Sequence, residues 1–491
     1  MKKNALVIGS GVAGLATAIR LANMGIKVSV FEKNAVPGGK IGEISSKGYR
    51  FDTGPSLFTL PELVEELPGT AEHPLKYTKL DTISRYFFSD GTVFTAPADP
   101  ALFAKELSRA TGEDPDRVSG YLAAAARLYD VSSPVFLFSA FHRLSRLFTK
   151  NNLGVLTGMM QFNPFRTMHG LNRKSFKSDK TIQLFDRYAT YNGSDPYRAP
   201  ATLNMIAHLE HNLGAYFPEK GMRLIVDHLV LLAREKGVSF HFNTQVEEIL
   251  LKEGRATGIR AMGKEYPADL VVSGGDIFRT WSKLLPRNKS PRTVKKPRLS
   301  TSAMILYLGV KRVFEQLDLH NIFFSGDYAA EFKALSPKGQ SIPFEDPTVY
   351  VYNSSFLNKS DAPKDCSNLF VMINTPYNRG EDWEKLAPVA RKYMFQKLRT
   401  HGIDLEPHIE FEQVATPADI EEMTLSTAGA LYGNSSNSAM SAFNRHPNFS
   451  RKYKNLFFVG GSVHPGGGIP LCLASAKIVE QEVKSYLENL S

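Results

Sequence analysis

The sequence predicts an α/β protein in which one sheet is assembled from three separated pieces of chain, with a mixed sheet and a largely helical region inserted between them. Three features predict this. A short apolar run, residues 5–8 (ALVI), leads into Gly9-Ser10-Gly11-Val12-Ala13-Gly14 and then into helical periodicity. A second apolar run, residues 456–459, leads into another glycine-rich loop and another helical stretch near the C-terminus. Between them, Phe217 to Gly221 leads into a helical stretch over 223–236, and Gly237 precedes a strand over 238–242.

Taken in chain order, the helix after the first glycines covers 15–24 (LATAIRLANM), Gly25 ends it, and 27–31 (KVSVF) is a second strand finishing at Glu32. Gly9 allows a tight turn, Gly11 lets the backbone approach a pyrophosphate, and Gly14 lets helix and strand pack closely. Ser10 and Ala13 are the small residues between them. The helix N-terminus presents free N–H groups to phosphate. Glu32 falls eighteen residues after Gly14, where a carboxylate can accept hydrogen bonds from ribose hydroxyls, which favours NAD or FAD over NADP. Strand, helix, second strand and acid in register make a Rossmann-type dinucleotide-binding unit.

Further segments choose between those cofactors. Lys33 and Pro37-Gly38-Gly39-Lys40 follow the second strand, and Gly54-Pro55 closes the segment RFDTGP at 50–55. Near the C-terminus stand Gly460-Gly461-Ser462, His464 and Gly468-Ile469-Pro470. Residues 469–486 are helical, with Pro470 suited to the first turn, so this loop sets a second helix dipole beside the cofactor.

These segments resemble the FAD-binding segments of the amine oxidase and carotenoid desaturase superfamily. Seven pieces in order narrow the resemblance: EKNAVPGGK (32–40), RFDTGPSLFTLP (50–61), TYNGSDPYRAPATL (190–203), GAYFPEKGM (214–222), VSFHFNTQVEEI (238–249), ADLVVSGGDI (268–277) and VGGSVHPGGGIP (459–470). Together they are similar to the bacterial-type carotenoid (phytoene) desaturase family, nearest to its 1-hydroxycarotenoid 3,4-desaturases. The resemblance implies non-covalent FAD lying along the two folded-together ends of the chain, with the Val246 backbone meeting the adenine. It implies hydride transfer from a membrane-dissolved carotenoid to flavin, here 3,4-desaturation of a 1-hydroxylated acyclic end. Phytoene desaturation, carotenoid cis–trans isomerisation and other flavin-dependent amine or porphyrinogen oxidation remain open. A prenyl-lipid-binding escort protein of similar fold is the non-enzyme alternative, and the intact Gly9, Gly11, Gly14 and Glu32 argue against it.

The FAD-binding domain is expected over residues 1–75, 215–300 and 440–491, a largely helical substrate-access and membrane-associating region over 76–214, and a mixed-sheet substrate domain over 301–439. No catalytic dyad or triad stands out. His464 is the best single candidate near the chemistry, weighed against a loop histidine bonded to backbone. Glu210-His211 and Asp186-Arg187 read as structural ion pairs or caps. Nothing resembles a second nicotinamide site, so quinone or oxygen is the expected electron acceptor.

The formal charge is +10 and only two cysteines occur, Cys366 and Cys472, with no metal-ligand spacing. This composition fits a reducing compartment and an anionic partner. The charge is concentrated. Residues 131–178 hold seven Lys or Arg and no acid, and 279–312 hold ten and no acid. Within the first run, 135–150 (VFLFSAFHRLSRLFTK) would on a helix align Leu137, Phe141, Leu144 and Phe148 in one stripe, with Arg143, Arg146 and Lys150 on another face. Residues 154–165 could equally line a tunnel mouth. The expectation is monotopic binding to an anionic lipid surface, on the cytoplasmic face of the membrane, rather than to nucleic acid.

Overall fold

The computed structural model describes residues 3–140, 142–143, 166–286, 290–336, 339, 344–439 and 441–490. Five parallel strands form one sheet in the order Leu456–Phe458, Leu270–Ser273, Asn4–Ile8, Lys27–Phe31 and Ser239–His241. The continuous apolar run at its centre follows from burial on both faces, as a parallel sheet between layers requires. The helix Val12–Asn23 packs against both Arg223–Glu235 and Ile469–Glu488. Leu15, Ile19, Ile225, Leu229, Val479 and Val483 share one buried core beneath them. Two chain ends and a middle segment therefore close around a single apolar cluster.

A second sheet has seven strands, in the order Ile409–Ala415, Ser302–Val310, Ser367–Thr375, Val349–Tyr352, His320–Phe323, Thr82–Phe87 and Val93–Pro97. It is antiparallel except where His320–Phe323 runs parallel to Thr82–Phe87. The sheet is mixed, as expected, but its last two strands come from the start of the region read as helical. Val93–Pro97 alternates exposed and buried residues, as an edge strand covered on one face does. Beyond it the chain turns helical at Pro100–Thr111 and Pro115–Phe136, each started by an aspartate cap, Asp99 or Asp114, and a proline in the first turn.

The helix Pro115–Phe136 ends at the start of the stretch expected to carry a basic amphipathic stripe. Pro134, in the helix's last turn, has no N–H to donate to the Asp130 carbonyl, so the ladder loses one bond there. Leu137, the first residue of that stripe, is buried, and Ala140 joins the core under the parallel sheet. Arg143 pairs at 2.5 Å with the buried carboxylate of Glu482 and stacks over Phe449 at 4.2 Å, so it is committed to the protein. Phe141, Leu144, Arg146, Phe148 and Lys150, with residues 154–165, lie outside the described residues. Among the described residues no helix is long and apolar enough to cross a membrane.

Candidate functional site

A cavity of about 1270 Å³ takes its walls from both large sheets. At one end lie the first glycine turn, Glu32 and Val246; at the other, side chains of the seven-stranded sheet, among them Ile305, Ile322, Phe370 and Met372. A polar, glycine-lined arm thus continues into an apolar chamber.

The polar arm is shaped by close backbone packing. A Cβ on Gly14 would stand 2.1 Å from the Gly9 carbonyl oxygen, so only glycine lets this helix start against the strand. The helix Val12–Asn23 begins at Gly11 with no side-chain cap, and Ile469–Glu488 begins at Gly468, at φ +111°, also uncapped. Both N-termini line the cavity, and their free N–H groups and dipoles make it receptive to negative charge. Glu32 is buried, and its carboxylate is held in place: Oε2 accepts from the Ser10 N–H at 2.9 Å and hydroxyl at 2.8 Å, and Oε1 from the Asn34 N–H at 2.9 Å.

The segment carrying Gly54 and Pro55 is fixed by Asp52, which stands just before it. Asp52 accepts from the backbone N–H groups of Met222 (3.0 Å) and Arg223 (3.2 Å) and from Arg50 (2.7 Å). It thereby ties the first piece of chain to the start of the helix Arg223–Glu235. Lys40 donates to the carbonyls of Leu431 (2.6 Å) and Ala430 (3.1 Å), and burial lowers its pKa.

Gly9, Gly11, Ala13, Gly14, Glu32, Lys33, Gly39, Lys40, Gly54, Pro55, Val246, Gly460, Gly461, Gly468, Ile469 and Pro470 all line this one cavity. Ser10 does not; it acts through Glu32. His464 is not at the wall either. Its Nε2 bonds the Ser139 carbonyl at 3.0 Å, its own N–H donates to the His446 carbonyl, and burial pushes its pKa down to about 3. The backbone-bonded alternative describes it. Cys472 does reach the wall, but burial pushes its thiol up to about 11, so it is no nucleophile near neutral pH.

Of the two adjacent pairs noticed in the sequence, Glu210 and His211 stay together, Oε1 to Nε2 at 3.9 Å, while Asp186 and Arg187 take different partners. Asp186 accepts from Asn172 at 2.8 Å and meets His169 at 2.6 Å. Arg187 instead pairs with Glu210 at 3.1 Å, and Tyr188 donates to the same carboxylate at 2.9 Å. Arg187 and Tyr191 reach the cavity wall from this cluster. Sequence reading passed over the other polar group at the apolar end, in which the Tyr350 hydroxyl bonds Ser56 Oγ at 2.6 Å and His320 Nδ1 at 2.8 Å. Ser56 adjoins the recognised Gly54-Pro55. His320 and Tyr350 sit on strands far away in sequence, and no local pattern marks them.

The site suits FAD by its own geometry: facing glycines where side chains would intrude, two uncapped helix N-termini and a fixed carboxylate at the far end. Residues 12–483 match the family model described as flavin containing amine oxidoreductase. The chain is 45% identical over 480 residues to a 1-hydroxycarotenoid 3,4-desaturase of Flavobacterium sp. (strain P99-3), covering 97% of this chain and 98% of that one. It is 30% identical over 515 residues to a phytoene desaturase of Fusarium fujikuroi, covering 98% and 89%. A solved putrescine oxidase variant shares the fold at a TM-score of 0.66 and 12% identity, over 99% of both chains. A glycine-built dinucleotide arm opening into an apolar chamber, in a chain matched from end to end, is therefore that of an FAD-dependent oxidoreductase belonging to the flavin containing amine oxidoreductase family.

Proposed function

We propose that this chain is a carotenoid desaturase that introduces a 3,4 double bond into a 1-hydroxylated acyclic carotenoid end. The near-full-length identity to the Flavobacterium 1-hydroxycarotenoid 3,4-desaturase carries this reading. The apolar chamber supports it, because a long hydrocarbon needs a dry, unbranched space continuous with the cofactor.

When bound, FAD supplies a hydride acceptor. The chain's residues do the rest. Gly9, Gly11 and Gly14 would let the backbone close on the FAD pyrophosphate, Glu32 would receive the ribose hydroxyls, and Val246 would border the adenine. Gly54, Pro55 and the Gly468–Ile469 turn would hold the flavin ring, with the helix dipole behind the last of these favouring negative charge. Ile305, Ile322, Phe370 and Met372 keep water out and align the hydrocarbon, so that orientation rather than an acid–base side chain is the protein's main contribution.

The substrate reaches the chamber from a membrane. The net charge of +10 and the acid-free basic runs support reversible attachment to an anionic leaflet, with the enzyme on its cytoplasmic face. Quinone or oxygen takes the electrons onward.

FAD-loaded protein in liposomes is to be given phytoene or a 1-hydroxylated acyclic-ended carotene. A red-shifted spectrum with loss of two hydrogens from the hydroxylated carotene alone is the expected result. Conversion of phytoene instead would keep the enzyme class and overturn the substrate. An unchanged mass with altered geometry would mean isomerisation.

A further inference from the structure

Among the described residues, two buried nitrogens on the cavity wall have no hydrogen-bond partner, Arg187 Nε and His320 Nε2, and Arg187 is already committed to Glu210 through its Nη2. His320 is 3% exposed and lines the cavity, and its Nε2 has no hydrogen-bond partner. Its other nitrogen, Nδ1, is held by the Tyr350 hydroxyl at 2.8 Å, and Tyr350 by Ser56 Oγ at 2.6 Å. The ring is therefore oriented, with its free nitrogen left over. Ala303, Ile305, Ile322, Phe370 and Met372 line the same cavity, and the Arg187–Glu210 pair lies near enough to act on the ring. An orphaned polar atom in such surroundings is unfavourable unless a ligand bonds it.

We propose that His320 Nε2 binds the hydroxyl of the substrate and so sets the preference for a hydroxylated over a plain hydrocarbon end. The inference rests on the desaturase reading of this site and adds the residue that recognises the substrate. A hydroxyl is the ligand group that fits both states of the relay. In Ser56–Tyr350–His320, Tyr350 can donate to either neighbour. His320 then offers Nε2 as a donor in one arrangement and as an acceptor in the other, and a hydroxyl can complement each. Burial holds the imidazole neutral, with its pKa down at about 4; Glu210 opposes this and Arg187 adds to it. Position agrees as well. In a 1-hydroxylated end, one carbon separates the hydroxyl-bearing carbon from the nearer reacting carbon, so the hydroxyl must be received close to the flavin. The relay ends on Ser56, directly after Gly54 and Pro55 of the cofactor wall.

The test compares two substrates in liposomes, a 1-hydroxylated acyclic carotene and the same carotene without the hydroxyl, on wild type, His320→Leu and His320→Gln. Wild type is expected to favour the hydroxylated carotene in kcat/KM by about 10- to 100-fold. His320→Leu brings the ratio close to one, chiefly by raising KM for the hydroxylated carotene while turnover of the plain one is kept. His320→Gln, which can donate and accept, recovers part of the ratio, which a packing role would not do. Retention of flavin absorbance checks the fold. If the Leu variant loses its flavin, His320→Met replaces it and is read in the same way. A ratio unchanged in the apolar variant, or equal losses on both substrates, overturns the inference. Wild type that converts both carotenes equally overturns it and leaves the desaturase reading standing. Wild type that converts neither overturns both.

Discussion

Arg187 and Glu210 form a buried ion pair, Nη2 to Oε1 at 3.1 Å, on the wall side of the substrate chamber. The carboxylate also accepts from Tyr188 and Tyr191, while Arg187 donates to Tyr86 at 2.8 Å and lies over three tyrosine rings. Burial alone would raise the pKa of Glu210; Arg187, His211 and the tyrosine hydroxyls outweigh it and hold the pKa below its ordinary value.

Removing the cation should be costly. Arg187→Met leaves the Glu210 carboxylate buried without its counter-charge, and a loss of about 3–5 kcal/mol in unfolding free energy is expected. Urea denaturation of the flavin-loaded protein measures it. A loss under 1 kcal/mol would mean the pair contributes no more than a surface bridge.

Stability should fall as pH drops from 6.5 toward 4. Burial holds His211, His320 and His446 down at about 4 and His464 at about 3, against an ordinary 6.5. In that window the unfolded chain binds protons that the folded chain refuses, so unfolding is favoured as pH falls. Asp361, pushed up to about 6 by burial, works in the opposite sense below pH 6. The drop between pH 6.5 and 6 is therefore the clearest signal. Urea midpoints across this range test it, and His464→Gln should flatten the slope.

Gly14→Ala should give protein without flavin. Its Cβ would overlap the Gly9 carbonyl, displacing the helix start by more than flexible packing absorbs, at a cost of about 1–3 kcal/mol or more. The ratio of flavin absorbance to protein absorbance after purification reads this directly.

Acid precipitation should leave a colourless pellet and a yellow supernatant. Cys472 faces the cavity, but its thiol stays protonated with a pKa of about 11, so no thiolate is available to bond the ring. Cys472→Ala should retain its flavin; flavin that stays with the denatured wild-type chain would contradict non-covalent binding.

Binding to anionic vesicles should weaken as salt rises, because the attraction comes from basic residues near a charged surface. Co-sedimentation at low and high ionic strength measures it. Arg143, held by Glu482, should matter little to this binding, and Arg143→Gln is the control.

The cofactor arm was legible in the sequence because each of its parts is local. A turn needs Gly9, an approach needs Gly11 and Gly14, and the acid at Glu32 follows one strand later. Such short-range steric rules leave motifs of fixed spacing. The amphipathic pattern over 135–150 is a different case: the helix Pro115–Phe136 ends within its first two residues, and most of the stripe lies outside the described residues. The substrate end was not legible. Arg187 finds Glu210 twenty-three residues away, and Tyr350 joins His320 to Ser56 only when three strands or loops from distant chain segments converge. The sequence by itself determined the parallel sheet, its glycine turns and the cofactor class. Only the tertiary structure decided which polar side chains would be buried in the hydrocarbon chamber and which of their atoms would be left unbonded. Burial and pairing between distant residues are properties of the packed chain, and no spacing in the sequence records them.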